Sequence, residues 1–321
     1  MNILITSAGK RVSLIKAFKS ELKCLCPEGK VYTTDINPDY APACHVSDGA
    51  IKVKRIGDAA YMTDLLAICK QNSIRLLIPT IDTELLTLAK NKMMFAEHGI
   101  HIVISSSIFV QKCRDKRIIN DFFLKNGIDI PKQFDKDNLQ FPMFVKPFDG
   151  SLSVDTYLIK SREELTEYHF ANEKLMFMEY IDPSNFSEFT VDMYYGRDSI
   201  VKCIIPRKRI ETRAGEISKG LTLKNSIVEF LKDRLNKIEG ACGCLTLQLF
   251  FNARTNQILG IEINPRFGGG FPLSYLAGGN YPRWLILEYL MGEELTYRDD
   301  WESELLMLRY DDEIIVHGFK S

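Results

Sequence analysis

The segment from Leu245 to Gly270 carries the side chains of this chain that are best suited to chemistry. Two apolar runs flank the polar residues 254–257, which predicts a β-hairpin. Side chains alternate between the two faces of a strand, so Gln248, Glu262 and Asn264 lie on polar faces. The apolar faces are predicted to carry Leu245, Leu247, Leu249 and Phe251 on one strand and Leu259, Ile261 and Ile263 on the other. Carboxylate and amide oxygens in this arrangement suit a hard cation such as Mg²⁺, and an ordinary hairpin with one solvated face is the alternative.

The loop of this hairpin decides whether the polar side chains meet. If Gln248 and Glu262 are directly opposite each other, a regular antiparallel register requires an odd loop, such as 254–256 or 253–257. A two-residue turn at 255–256 would pair Gln248 with Ile263 and put Gln248 and Glu262 on opposite faces. A shared cation site therefore predicts an odd loop.

Two lysines occupy positions where an anionic partner is expected. Lys146 emerges from the apolar run 141–147, and an unpaired ammonium group is costly to bury, so phosphate or a neighbouring acid would have to balance it. Lys116 follows Asp115 at the predicted start of a helix that stops at 126–127. A solvated helix lysine is the alternative for Lys116.

Two other segments place polar side chains on strand faces. Glu188, Thr190 and Asp192 alternate with Phe189 and Val191 and so share one face. Arg207 and Arg209 likewise share a face within the basic segment 200–224. That segment lacks interleaved aromatic residues and contains acidic ones, which argues against nucleic acid as its partner.

The order of these segments resembles a known family. The motif EINPRFGGG at 262–270 closely resembles the metal-binding strand of ATP-grasp ligases, especially the branch related to the carbamoyl phosphate synthase large subunit. The segment DKRIINDFFLKNGIDIPK at 115–132 is similar to the opening segment of the same module. Five such segments follow each other in the family's order, and the resemblance covers essentially the whole chain. It implies a parallel α/β domain at 1–108 (the pre-ATP-grasp domain) and a two-lobed ATP-grasp fold at 109–321, with a small lobe at 115–180 and a C-terminal lobe at 181–321.

The resemblance also implies roles for individual side chains. Glu262 and Asn264 would bind Mg²⁺, with Gln248 as an extra ligand on the partner strand, and Arg266 would contact phosphate or an acyl phosphate. Arg207 and Arg209, in a segment that lies over the reacting centre in this branch, would neutralise phosphoryl or carboxylate charge.

The predicted nucleotide-binding roles fall on seven residues, and all but that of Ser151 are implied by the resemblance. Ser151, like Ser153, is predicted from the hydroxyl and backbone N–H donors that it offers to phosphate. Two lysines would contact the phosphates of ATP, a serine in the loop 148–154 would donate to them, three residues at the end of the strand from 175 would hold adenine, and one acid would bind ribose. In that order these are Lys116, Lys146, Ser151, Glu179, Tyr180, Ile181 and Glu188. The loop departs from the family, because it has one glycine where two or three are common.

The first hundred residues alternate short apolar strands with helices, which predicts parallel βαβ units. Predicted strands lie at 2–7, 31–34, 51–53, 75–78 and 101–104, and predicted helices include 58–72 and 83–97. A dinucleotide-binding domain is an alternative because Asp35 follows the second strand, but the G-x-G-x-x-G motif is missing. The resemblance implies that this domain helps to hold the acceptor substrate, and ligands bind at the carboxyl ends of such strands, so the acceptor is expected there. The polar residues at those ends are Ser7, Gly9, Lys10, Arg11, Asp35, Thr80 and Asp82.

Bulk composition narrows the classes of protein. With 41 basic and 42 acidic residues, the chain has no overall field that would attract nucleic acid or an anionic membrane. The N-terminus lacks a basic signal-peptide region, and the eight cysteines show no zinc spacing, so a cytoplasmic protein with reduced thiols is expected. Residues 305–308 and 314–316 are predicted to form a closing strand pair.

The activity that the resemblance implies is ATP- and Mg²⁺-dependent ligation, with Mn²⁺ as an alternative ion. A small-molecule carboxylate would be activated as an acyl phosphate and attacked by an amine, releasing ADP and phosphate. The alternatives are an ATP-binding regulatory or scaffold module without turnover and a small-molecule kinase on the same fold. The chain holds one such module, so a complete tandem carbamoyl phosphate synthase subunit is not expected, nor is biotin carboxylase with its additional C-terminal domain. A homodimer is left open as the assembly.

Overall fold

The computed structural model describes residues 1–150, 154–213 and 215–319. The strands are β1 (Asn2–Ile5), β2 (Val31–Asp35), β3 (Gly49–Lys52), β4 (Ile74–Ile78), β5 (His101–Ile102), β6 (Gln133–Phe134), β7 (Met143–Pro147), β8 (Tyr157–Ile159), β9 (Leu175–Glu179), β10 (Ser187–Tyr195), β11 (Val201–Arg213), β12 (Glu216–Thr222), β13 (Gly243–Asn252), β14 (Gln257–Asn264) and β15 (Leu306–Leu308). The helices are α1 (Val12–Leu25), α2 (Pro42–His45), α3 (Tyr61–Gln71), α4 (Asp82–Lys90), α5 (Lys92–Ala96), α6 (Ser107–Arg114), α7 (Lys116–Lys125), α8 (Glu167–Ala171), α9 (Ser226–Leu235), α10 (Phe271–Leu276) and α11 (Tyr281–Leu290).

The N-terminal sheet is parallel, with the strand order β3-β2-β1-β4-β5. The predicted helix at 83–97 is instead two helices, α4 and α5, which meet at Asn91. The Asn91 side chain donates to the carbonyl of Thr87 at 2.9 Å, a local bond that competes with helix continuation. The carboxyl ends of β1, β2 and β4 lie at one edge of this sheet, as predicted.

The remaining strands form two antiparallel sheets. The small-lobe sheet has the order β6-β9-β7-β8, and the C-terminal sheet has the order β14-β13-β10-β11-β12-β15. The prediction of a closing strand pair at the C-terminal end is wrong. Leu306 pairs with Leu221 at the edge of β12, and residues 314–316 form no strand. The free backbone edge of β12 offers β15 a partner, so the sheet is extended and no separate hairpin forms.

The apolar core of the protein consists of separate clusters of different size. One large apolar cluster runs from the inner face of the N-terminal sheet and α1 into the C-terminal sheet, α9 and α11. Phe18 of α1 packs edge-on against Phe267, with ring centroids 5.9 Å apart. The small lobe has a separate core, made by Phe134, Met143, Val145, Ile159, Leu175 and Phe177. The N-terminal domain and the C-terminal lobe therefore form one packed base.

None of the helices in the described part of the chain has the length and apolar character that a bilayer crossing requires.

Candidate active site

One face of the C-terminal sheet gathers most of the predicted site. Its central row crosses four strands, because Glu262 pairs with Gln248, Gln248 pairs with Thr190, and Thr190 pairs with Arg207. Since directly paired residues point to the same side, all four side chains share a face. The polar faces that were predicted separately for the hairpin and for β10 and β11 are thus one continuous surface.

The hairpin reaches this register by a route other than the predicted one. Asn252 pairs with Gln257, which leaves the four-residue loop 253–256 rather than an odd loop. A β-bulge next to Gly260 then shifts the pairing by one residue and puts Gln248 opposite Glu262. The prediction for Leu259 is wrong for the same reason. Leu259, on the second strand, pairs with Phe250 and so lies on the Gln248 face, although it is buried. The predicted apolar positions of the first strand are buried as expected.

Glu262 is the acid at the centre of this surface. Its Oε1 accepts a hydrogen bond from Asn264 Nδ2 at 2.8 Å, and its Oε2 is 3.7 Å from Lys116 Nζ. Lys116 is the first residue of α7, where Asp115 caps the helix by accepting from Arg117 N. Lys116 Nζ also donates to the carbonyl of Gly150 at 2.5 Å. A cation from α7 and a carboxylate from β14 therefore meet beside the loop that was predicted to cover phosphate.

Lys146 lies near the same carboxylate, on β7 of the small lobe. Burial lowers its pKa to about 8, although Glu262 and Glu188 oppose that shift and Lys116 adds to it. Within the described part of the chain, Lys146 has no carboxylate within 4 Å. Its ammonium group is therefore a partly buried cation without a local counter-charge among those residues.

The predicted adenine and ribose residues lie around these lysines. Glu179 ends β9, and its carboxylate accepts from Lys132 N at 3.1 Å; Tyr180 and Ile181 follow it. Glu188 lies 3.2 Å from Arg209, and burial raises its pKa while Arg209 opposes the shift. Ser151, the predicted phosphate contact of the loop, lies outside the described residues.

The two candidate arginines of β11 differ in environment. Arg207 is 1 % exposed, and its Nε and Nη2 donate to the two oxygens of Asp192 at 2.8 and 3.1 Å. Asp192 is completely buried and also accepts from Ser274 at 2.6 Å. Arg209 is partly exposed and contacts Glu188 and Thr190. Arg209 is therefore the more accessible of the two, while Arg207 is held in a buried ion pair.

Arg266 connects this surface to the N-terminal domain. Its Nη2 donates to Asp82 at 2.8 Å, and Asp82 is the first residue of α4, at the carboxyl edge of the parallel sheet. Arg11 lies nearby and donates to the carbonyl of Thr80 at 3.0 Å. Burial and the adjacent Arg266 lower the pKa of Arg11 to about 10. The predicted phosphate-contacting arginine and the predicted acceptor edge thus share one cationic cleft.

Glu216 of β12 belongs to this cleft and was not singled out from the sequence. It lies 3.5 Å from Lys10 and 3.2 Å from Arg309. Burial would raise its pKa, but Lys10, Arg309 and Arg11 hold it below its ordinary value. Glu84 was also missed. It is completely buried and accepts from Thr6, Ser7, Tyr61 and the backbone of Thr80, so it ties the acceptor-edge loops together. No local pattern marks either acid, because their partners lie far away in sequence.

A parallel α/β domain, a small antiparallel lobe and a larger antiparallel sheet around one polar cleft define an ATP-grasp architecture. Residues 3–103 match the family model described as the PylC-like N-terminal domain. Residues 171–311 match the model described as ATP-grasp in the biosynthetic pathway with Ter operon. These two matches confirm the predicted resemblance to ATP-grasp proteins, and the architecture confirms the predicted fold class.

Solved structures share this fold at low sequence identity. Biotin carboxylase from Campylobacter jejuni aligns with a TM-score of 0.73 and 14% identity, over 95% of this chain and 74% of that one. N5-carboxyaminoimidazole synthetase from Staphylococcus aureus aligns with a TM-score of 0.70 and 17% identity, over 92% and 78%. L-amino acid ligase from Bacillus licheniformis aligns with a TM-score of 0.67 and 16% identity, over 90% and 74%. A search of curated proteins found no match.

Proposed function

We propose that the chain is an ADP-forming ligase that joins a small-molecule carboxylate to an amine. The main observation in support of this proposal is the arrangement of side chains around Glu262. Gln248 is its cross-strand partner and Asn264 donates to it, while Lys116 from α7 and Lys146 from the small lobe lie close enough to act on its charge. The ATP-grasp fold supports the same class of reaction, since solved structures with this fold include a carboxylase, a synthetase and an amino acid ligase.

The side chains present fit a magnesium ion. Among the described residues, no group of three or more His, Cys, Asp and Glu side chains could hold a metal by itself. Mg²⁺ commonly takes only one or two carboxylates from the protein and completes its shell with phosphate oxygens and water. Glu262, Asn264 and Gln248 would hold it in that way, and Mn²⁺ would use the same oxygens. When bound, the ion would neutralise negative charge on the phosphates of the nucleotide.

The nucleotide would lie between the small lobe and the C-terminal sheet. Lys116 and Lys146 would balance the β- and γ-phosphates, and Ser151 would add a hydroxyl donor. Glu179, Tyr180 and Ile181 would hold adenine at the end of β9, and Glu188 would accept from ribose. The low pKa of Lys146 supports this role, because a phosphate group would supply the counter-charge that the described residues do not.

The acceptor carboxylate would bind at the domain boundary, where Arg266 and Arg11 lie together. One carboxylate oxygen attacks the γ-phosphorus, the bond from that phosphorus to the β-bridging oxygen breaks, and ADP leaves. The amine nitrogen then attacks the acyl carbon, phosphate leaves with the C–O bonding pair, and the nitrogen loses a proton to solvent. Arg266 and the accessible Arg209 would stabilise the developing charge, whereas Arg207, which is committed to Asp192, would orient the surrounding strands.

Product analysis tests the proposal directly. Purified protein would be incubated with ATP, Mg²⁺ and panels of carboxylates and amines, and ADP, phosphate, AMP and pyrophosphate would be quantified. We expect ADP and phosphate only when the right carboxylate is present, and a hydroxamate when hydroxylamine replaces the amine. Arg266→Ala should suppress hydroxamate formation more than it weakens ATP binding. Production of AMP, a phosphorylated hydroxyl group or no turnover with any panel would favour an adenylating enzyme, a kinase or a non-catalytic ATP-binding module, respectively.

A further inference from the structure

A second cleft lies on the side of the molecule opposite the candidate acceptor site. His101 begins β5, so it lies at the amino edge of the parallel sheet, whereas Asp82 and Thr80 lie beyond the carboxyl edge. Two adjoining cavities, of about 350 and 400 Å³, share His101 and Tyr289 in their walls. One wall comes from the N-terminal domain and the other from α11, the β10–β11 turn and the segment before β13. We name this region the rear cleft, with Lys92, His101, Arg197 and Tyr289 as its defining residues.

The rear cleft is strongly cationic. Lys92 and Arg197 line one cavity, Arg75 lines the other, and His101 lies between them. Burial lowers the pKa of His101, and Arg197, Arg75 and Lys92 lower it further, so all three cations lie close enough to act on the imidazole. In the described parts of the chain, none of these four side chains has a carboxylate within 4 Å.

Two carboxylates lie beside the backbone at Arg197, and both have other hydrogen-bond or ion-pair partners. Glu288 accepts from the backbone N of Arg197 at 2.7 Å and from the hydroxyl of Tyr194 at 2.9 Å. Asp198 forms an ion pair with Lys202 at 2.6 Å. The guanidinium of Arg197 instead lies over the ring of Tyr289, 5.4 Å from its centroid, and Lys92 Nζ donates to the carbonyl of Ile104. The cations of the cleft thus form no ion pair within 4 Å with a carboxylate of the described residues.

We propose that the rear cleft binds a small molecule bearing a phosphoryl group, at a site separate from the candidate active site. A phosphoryl group carries close to two negative charges and several acceptor oxygens, which matches two or three cationic side chains better than one carboxylate does. The aromatic wall at Tyr289 suits an organic portion attached to it. Because the two walls belong to different domains, the ligand would cross-link the N-terminal domain to the C-terminal lobe.

Inorganic pyrophosphate is a suitable probe, and its binding can be separated from binding at the nucleotide site. Calorimetric titrations without Mg²⁺ would compare the wild type with Lys146→Met, which removes a proposed nucleotide contact, and with Arg197→Gln and Lys92→Gln. We expect the rear-cleft binding event to persist in Lys146→Met and to weaken at least tenfold in either rear-cleft variant. Pyrophosphate should also raise the melting temperature of Lys146→Met.

Arg298→Gln is the matched control. Its guanidinium also lies over an aromatic ring of α11, 5.9 Å from the centroid of Trp284, but outside the rear cleft. Arg298→Gln should bind pyrophosphate as the wild type does. If Arg197→Gln proves poorly folded, Arg197→Lys replaces it and should retain part of the wild-type affinity. Binding that survives both rear-cleft substitutions, or that disappears only with Lys146→Met, would overturn the proposal. Equal binding of succinate would replace the phosphoryl specificity with a general preference for dianions, and would also count against it.

Discussion

At the scale of single residues, Lys146 is expected to reduce the stability of the ligand-free protein. Its pKa is lowered to about 8, whereas an unperturbed lysine titrates near 10.4. Between these values the unfolded chain binds more protons than the folded one, so the stability of the folded state rises with pH across that window. Below the window the charged form is disfavoured in the fold by on the order of 1–3 kcal/mol.

Lys146→Met should therefore maintain or raise the melting temperature at pH 7, while the affinity for ADP falls at least tenfold. Calorimetric ADP titration and thermal unfolding would measure the two effects. Lys174→Met is the control, because Lys174 is an exposed small-lobe lysine paired with Asp149 and should change neither quantity. A clear loss of stability with intact ADP binding would show that Lys146 is a structural residue.

For Glu262 we expect a loss of activity with little change in stability. Glu262→Gln preserves size and removes the only carboxylate of the proposed ligand set, so turnover and Mg²⁺-dependent ADP affinity should fall by at least tenfold. The apolar face of the hairpin packs the core, and the contact with Lys116 is a long one of 3.7 Å. Thermal unfolding should therefore change little. Gln257→Ala, on the exposed start of the same strand, should leave activity unchanged, and full activity in Glu262→Gln would remove Glu262 from the site.

The residues of the site were predictable only where local pattern marks them. A lysine in an apolar strand and the alternation of β13 both indicate a polar cleft from the sequence alone. The buried pair of Arg207 and Asp192 was not predictable, because its existence depends on the register of β10 against β11. The sequence likewise gives no sign that Asp82 would meet Arg266, which is 184 residues away.

At the scale of elements, the bulge in β14 places Glu262. Gly260 N donates to the carbonyl of Asp129 at 2.8 Å, so the backbone beside the bulged residue Ile261 bonds outside its own hairpin. A Cβ at Gly260 would lie 2.7 Å from the ring of Phe123, which is fully buried on α7. The same helix begins with Lys116. The close approach of α7 and β14 therefore sets the distance between Lys116 and Glu262, and a hairpin sequence alone could not predict it.

Gly260→Ala should cost about 1–3 kcal/mol by overpacking and should reduce turnover by moving Glu262 away from Lys116. Denaturant unfolding and steady-state kinetics would measure both effects. Adding Phe123→Leu should restore part of each, since it makes room for the new methyl group. Gly57→Ala is the matched control, because a Cβ there meets nothing within 4 Å. If Gly260→Ala lowers stability but leaves the turnover rate unchanged, the contact between α7 and β14 does not influence catalysis.

At the scale of the whole molecule, the alternating pattern of the first hundred residues predicts the parallel sheet well but not its dependence on the C-terminal lobe. Phe18 is fully buried against Phe267, and Glu21 of α1 accepts from Tyr275 at 2.8 Å. Without the C-terminal lobe, the face of α1 that carries Phe18 would therefore expose apolar surface to water. Such tertiary packing depends on which face each helix presents, and helix periodicity does not identify its partner.

A fragment of residues 1–106 should accordingly be unstable by itself, with weak or no cooperative unfolding. In the full chain, hydrogen exchange should give α1 the same protection as β10 and β13, because they belong to one apolar cluster. The small-lobe strands β7 and β9 should exchange faster. A fragment with a sharp thermal transition near that of the full chain would contradict the shared core.

The separate core of the small lobe has a kinetic consequence. Helix α7 packs on the base through Phe123, so the separable part of the small lobe is the β6–β9 sheet. Among the described residues, the hydrogen bonds from Lys116 to the carbonyls of Phe148 and Gly150 tie this sheet to α7. A hinge rotation about the connecting segments near 127–132 and 180–186 would break little apolar packing. Bound nucleotide would therefore close the lobe over the site with a small free-energy penalty. Opening would then have to overcome those nucleotide contacts before product leaves. We expect the turnover rate to fall in proportion to solvent viscosity when sucrose is added. A turnover rate that does not depend on viscosity would show that the chemical step, and not lobe opening, is rate-limiting.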